Sequence, residues 1–175
     1  IKPVYAALSI VFLVVAWPTV SVLMAVNPSN FSLKKNSNYL RVASWNIKEF
    51  NGNEHTMPGH QFRAETIANS VMKWSPDIIC LQETKAKEHQ SEVDLPEYEE
   101  YWNSADKAGY SGTAIFTKIK PLSIINGLPK DISKKYKLEG DDYGDPNTEG
   151  RVIAAEFKDF YIVTVYTPNA KDDLS

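Results

Sequence analysis

The feature that most limits what this chain can become is four residues long. Ile78-Ile79-Cys80-Leu81 is an unbroken apolar run between the breaker Ser75-Pro76-Asp77 and the polar Gln82-Glu83-Thr84-Lys85. A run so short and so apolar reads as a β-strand buried on both faces, because nothing in it alternates toward solvent. Upstream, Leu40-Arg41-Val42-Ala43-Ser44-Trp45 roughly alternates and reads as a first strand. Between the two, Ala64, Ile67, Ala68, Val71 and Met72 recur at helical spacing and mark one face of an amphipathic helix. Residues 51–59, polar with glycines and a proline, read as a loop. Downstream, Gly112 to Thr117, Arg151 to Phe157 and Phe160 to Tyr166 are strand candidates, the last two joined by a Lys158-Asp159 turn. Strand, helix, strand and then several strands predict an α/β layered domain.

Composition narrows the function classes. The chain has 175 residues, of which 43% are apolar, enough for one domain with a core. Its single cysteine, Cys80, cannot pair within the chain and lies in the buried run, which makes it an inert core thiol. The formal net charge is −3, and Lys2 is the only charged residue before Lys34. That acidic balance argues against a protein that grips nucleic acid by bulk electrostatics, though not against one with a local basic groove. The acidic stretch from Gly140 to Gly150 lacks the spacing of a calcium loop and reads as solvated surface.

No charge occurs from Pro3 to Leu33, and residues 4–26 are apolar apart from Ser9, Pro18, Thr19 and Ser21. As a helix this stretch would reach ~35 Å, enough to cross a hydrocarbon core. Residues 1–26 therefore read as a membrane anchor, with a cleaved signal peptide or a buried helix as alternatives. Residues 27–39 read as a linker and 40–175 as the domain. Lys34, Lys35 and Arg41 outnumber Lys2, which places the domain on the cytoplasmic side; if the segment is a misread start, the protein is soluble and cytoplasmic. The chain begins with Ile, as expected of a processed chain or a fragment.

Polar residues at strand ends are where chemistry is expected, because a strand terminus holds a side chain rigidly at a cleft rim. Asn46 ends the first strand, Glu83 lies just beyond the second, and Tyr166 and Asn169 end the last. A carboxylate, two carboxamides and a phenol in one cleft would suit a hard cation and a phosphate. Singly, each has a plainer reading: Glu83 a solvated charge, Asn46 and Asn169 turn formers, Tyr166 a core tyrosine with its hydroxyl at the rim. His55, His60 and His89 match no zinc spacing and read as surface residues.

Five blocks in one order change that balance. SWNI at 44–47, DIICLQETK at 77–85, GYSGTAIFTK at 109–118, EGRVIAAEF at 149–157 and DFYIVTVYTPNA at 159–170 resemble the first half of exonuclease III-type apurinic/apyrimidinic endonucleases, within the endonuclease/exonuclease/phosphatase superfamily. The resemblance implies the N-terminal half of a four-layer α/β sandwich of the DNase I-like type, here preceded by an apolar helix. It implies a Mg²⁺-dependent DNA-repair phosphodiesterase (with Mn²⁺ as an alternative ion) acting on double-stranded DNA at abasic sites or 3′ ends. By position, Glu83 matches the family's principal metal ligand, and Asn46 the asparagine that orders the metal site and attacking water. Tyr166 matches the active-site tyrosine near the scissile phosphate, and Asn169 an asparagine that contacts phosphate and DNA. Tyr110 matches an aromatic on the DNA backbone, and Arg151 takes a supporting, DNA-facing place.

The sequence departs from the family at Lys48, where an acidic or amide group is usual, and residues 51–59 lack the family's DNA-touching basic residues. The family's domain continues for about as many residues again, with an Asp-x-Asn and a final Asp-His pair. The 175-residue polypeptide by itself is therefore expected to be inactive. Two other readings stand beside this one: a membrane-tethered phosphodiesterase of the same superfamily acting on a non-DNA phosphate ester, using residues 4–26, and a non-catalytic remnant. Oligomeric state is not legible.

Overall fold

The computed structural model describes residues 9–15, 40–47, 68–69, 71, 73–91, 93, 95–138, 140, 145 and 147–167. Their strands are β1 (Ser9–Val15), β2 (Val42–Asn46), β3 (Ile78–Gln82), β4 (Glu99–Asn103), β5 (Thr113–Thr117), β6 (Ser123–Asn126), β7 (Val152–Glu156) and β8 (Phe160–Tyr166). A short helix α1 (Lys130–Tyr136) lies between β6 and β7.

The strands form two four-stranded sheets, one ordered β2-β3-β5-β4 and the other β1-β8-β7-β6. β3 is the strand the apolar run predicts, and it is covered on both faces. Ile78 and Cys80 face the other sheet and pack in one cluster with Ile115, Ile153, Ala155, Phe157 and Ile162. Ile79 and Leu81 point the opposite way, into a cluster with Val71, Ala86, Val93, Leu95 and Phe116. Each such side chain contributes about 2 kcal/mol by leaving water. Val71 belongs to the predicted amphipathic stretch, whose described residues 68, 69, 71, 73 and 74 are helical. Cys80 is fully buried, and burial pushes its thiol up to about 12, so it is inert as expected.

Three strands depart from the sequence reading. Residues Ser9–Val15 are not part of a helix: they form β1, antiparallel to β8 with Ser9 opposite Tyr166 and Val15 opposite Phe160. The run is rich in β-branched Ile and Val, which favour the pleated backbone, and the open edge of β8 supplies the unpaired N–H and C=O groups such a segment needs. Among the described residues no helix is long and apolar enough to cross a membrane. β4 was hidden by Glu99 and Glu100; it is fixed by Tyr101, which packs toward the other sheet, and Trp102, which packs toward the outer cluster. β6 is a four-residue edge strand, too short to show a period. The β7–β8 hairpin forms as predicted, with the Phe157 N–H donating to the Phe160 carbonyl at 2.8 Å.

Candidate metal and phosphate site

β2 and β3 run parallel with Asn46 opposite Gln82, so the two strands end side by side. The Ile47 N–H donates to the Gln82 carbonyl at 3.0 Å and closes that end. The chain then turns sharply: Glu83 has φ 55° and Lys85 φ 49°. Left-handed backbone costs a residue with a Cβ about 1 kcal/mol or more, so something must hold it. The holder is the segment before β5. Thr84 N–H donates to the Gly112 carbonyl at 3.2 Å and Lys85 N–H to the Ser111 carbonyl at 2.7 Å. Gly112, at φ +106°, has to be glycine, since a Cβ there would meet the Thr84 hydroxyl oxygen at 2.3 Å.

This turn folds the Glu83 carboxylate back over the end of β2. The Asn46 Nδ2 amide donates to Glu83 Oε1 at 2.8 Å, and the Lys85 ammonium stands 3.6 Å from Oε2. The Glu83 side chain is only 12% exposed. β8 brings Tyr166 to the same place from the other sheet, its N–H donating to the Arg151 carbonyl at 2.8 Å. Burial first, then the charge and hydrogen bond of Glu83, raise the Tyr166 phenol above its ordinary value, while Arg151 pulls it down. The phenol is thus held neutral, as a donor.

Arg151 lies between two aromatic rings. Its guanidinium carbon is 5.1 Å from the Tyr166 ring centroid and 5.8 Å from that of Tyr110, and Nη2 donates to the Tyr110 hydroxyl at 3.4 Å. Nε donates to Glu149. Glu149 is therefore a partly buried partner of Arg151, not the solvated residue its acidic loop predicts. Arg151 Nη1 is buried and has no hydrogen-bond partner among the described residues. Lys107 stands over the Tyr110 ring at 5.3 Å, and Tyr110 is 38% exposed. Of the predicted site residues, Asn46, Glu83, Tyr166, Arg151 and Tyr110 are thus linked through side-chain contacts. Asn169 and Lys48 lie outside the described residues, as do His55 and His60; His89 is exposed.

Two side chains that the sequence reading passed over take part. Gln82 is fully buried at the end of β3, and its Nε2 amide donates to Thr164 Oγ1 of β8 at 2.6 Å and to Ser44 of β2 at 3.2 Å. It ties the sheet that carries Glu83 to the strand that carries Tyr166. Lys85 is the other, and its signal was available: it sits two residues past Glu83 within the same block.

The donors suit a hard cation. Among the described residues no three His, Cys, Asp or Glu side chains gather around one point. What is present is one nearly buried carboxylate and one carboxamide, all oxygen ligation, beside a neutral phenol and an unpartnered guanidinium nitrogen. Mg²⁺ is commonly held this way, by one or two carboxylates with water and substrate phosphate completing its shell. Glu83 and Asn46 are the residues that fit it.

Residues 43–167 match the Endonuclease/Exonuclease/phosphatase family, and the chain belongs to that family. Among its relatives, the exodeoxyribonuclease of Bacillus subtilis is 36% identical over 135 residues, covering 77% of this chain and 45% of that protein. The DNA repair nuclease APEX1 of Danio rerio is 45% identical over 109 residues, covering 59% of this chain and 31% of that one. In structure, an AP endonuclease from Archaeoglobus fulgidus aligns with a TM-score of 0.44 at 21% identity, over 68% of this chain and 37% of that chain. The chain spans half or less of the length of these relatives.

Proposed function

We propose that this chain supplies one wall of the active site of a divalent-metal-dependent DNA phosphodiesterase, an abasic-site endonuclease with 3′→5′ exonuclease capacity. The observation that carries the reading is the meeting of Glu83, Asn46, Tyr166 and Arg151 at strand ends drawn from two sheets. The relatives named for DNA repair and for exodeoxyribonuclease action support the substrate. A divalent ion, Mg²⁺ or Mn²⁺, supplies charge neutralisation at the phosphate when bound. The rest is the work of the side chains. Asn46 fixes the Glu83 carboxylate by its amide hydrogen bond, so the ligand is oriented before any ion arrives. Tyr166, kept neutral, has a proton to offer a phosphate oxygen. Arg151 has a buried nitrogen without a partner among the described residues, suited to the same anion. Tyr110 and Lys107 lie further out, where a sugar-phosphate backbone would run. Asn169 is assigned to phosphate contact by the resemblance alone.

In this reading the chain is the N-terminal half of a four-layer sandwich, and water activation falls to the family's later Asp-x-Asn and Asp-His blocks. The 175-residue chain alone is then expected to give no incision. The test uses the intact protein on an abasic-site duplex, an undamaged duplex and a lipid phosphodiester, each with Mg²⁺ and with EDTA. Mg²⁺-dependent incision of the abasic duplex is expected, and Glu83→Gln should slow single-turnover incision about 10²–10³-fold. Turnover of the lipid ester in place of DNA, or an unimpaired Glu83→Gln enzyme, would overturn it.

A further inference from the structure

We propose that Lys85 is a built-in counter-ion of Glu83, so that a divalent cation can load this site only by displacing the Lys85 ammonium. The inference rests on the metal-site reading of Glu83 given above. Glu83 is a nearly buried carboxylate, and an unbalanced buried charge is costly. Oε1 is satisfied by the neutral Asn46 amide at 2.8 Å. The only full positive charge within ion-pair distance of Glu83, among the described residues, is Lys85, 3.6 Å from Oε2. Its backbone is not free to drift, because the left-handed turn at Glu83 and Lys85 is pinned to Ser111 and Gly112. Its side chain, however, is 30% exposed, and the flexible four-carbon stem lets the ammonium swing outward. A monovalent charge held this close to a carboxylate opposes the approach of a second cation through Coulomb repulsion that solvent only partly screens. Once released, the ammonium is at the rim of the cleft, where it can meet a phosphate oxygen. Lys85 is on this view a positioning residue that exchanges partners, carboxylate without ion and phosphate with it.

The experiment is Mn²⁺ titration of the intact protein without DNA, read as loss of the free-ion paramagnetic resonance signal. It is run on the natural sequence, Lys85→Met, Lys85→Arg and Glu83→Gln, with thermal melts to establish that each variant is folded. Lys85→Met should bind Mn²⁺ about tenfold more tightly. Lys85→Arg keeps the charge and should bind as the natural protein does, whereas a purely structural role for Lys85 would weaken binding in Lys85→Met. Glu83→Gln should bind weakly alone and in combination with Lys85→Met. Unchanged or weaker binding by Lys85→Met, with Glu83→Gln still abolishing it, overturns the counter-ion role and leaves the metal site standing. Binding indifferent to Glu83→Gln in both backgrounds overturns the metal-site reading and the counter-ion role with it.

Discussion

One carboxamide at the end of β3 shows how much a single side chain settles. Gln82 has no exposed surface, and its amide nitrogen faces Thr164 Oγ1 at 2.6 Å, Ser44 Oγ at 3.2 Å and the Cys80 carbonyl at 3.3 Å. Buried polar groups are tolerated when partnered, and costly when a partner is removed. Gln82→Ala is expected to lose about 3 kcal/mol, from the cavity together with the stranded Thr164 hydroxyl. Thr164→Val should lose about 1–2 kcal/mol, since Gln82 retains two other acceptors. A double-mutant cycle in urea should give a coupling of about 1 kcal/mol between them, whereas additive losses would show that the contact does not tie the sheets. The site depends on this tie because Glu83 follows Gln82 directly and Tyr166 lies two residues beyond Thr164.

At the scale of elements, the turn from Glu83 to Lys85 and the segment entering β5 form one unit. Neither could hold its backbone alone: Glu83, Lys85 and Ser111 are all left-handed, at φ 55°, 49° and 45°. Two backbone hydrogen bonds and the glycine at 112 make the pair self-consistent. Gly112→Ala should cost about 2–3 kcal/mol, because it adds a Cβ at a positive φ against the Thr84 hydroxyl. Any surviving folded protein should also bind Mn²⁺ more weakly, as the Glu83 turn is displaced from Asn46. Denaturant midpoints and ion titration measured on one preparation check both outcomes, and normal values for both would show the turn to be tolerant. Gly150 plays a similar part before β7: a Cβ there would meet the Asn103 carbonyl oxygen at 2.3 Å, while the Thr113 hydroxyl donates to the Gly150 carbonyl at 3.0 Å. That junction sets Arg151 where Tyr110 and Tyr166 can flank it.

Across the whole molecule, the two sheets share one buried cluster, and the site sits where strand ends from both converge. β8 is central to this arrangement, paired with β7 on one side and β1 on the other. Pairing with β1 runs the length of β8, from Phe160 to Tyr166. Backbone N–H groups of β1 alternate between β8 and the opposite side of the strand, so of Phe12→Pro and Leu13→Pro one must delete a pairing amide. That variant should strip hydrogen-exchange protection from the β8 amides that face β1 and leave β3 and β5 protected. Equal protection in both variants would mean that β1 does not pair with β8.

The sequence by itself determined the elements whose physics is local. The short apolar run of β3 reads as a covered strand, the Lys158-Asp159 turn marks a hairpin between two strand candidates, and the helical spacing that includes Val71 needs no distant partner to be read. It also marked the candidate site residues, because Asn46, Glu83 and Tyr166 are polar residues placed at or just beyond strand ends. What it could not fix were features that exist only through contact with remote residues. An apolar segment such as Ser9–Val15 becomes helix or strand according to whether an open sheet edge is there to receive it, and β4 is a strand because Tyr101 and Trp102 find a cluster on each side. The stacking of Arg151 between two tyrosines and the Lys85 ion pair with Glu83 were decided in the same way. Hydrogen bonds act over about 3 Å and charges over about 10 Å, and only the folded chain brings residues tens of positions apart within those ranges.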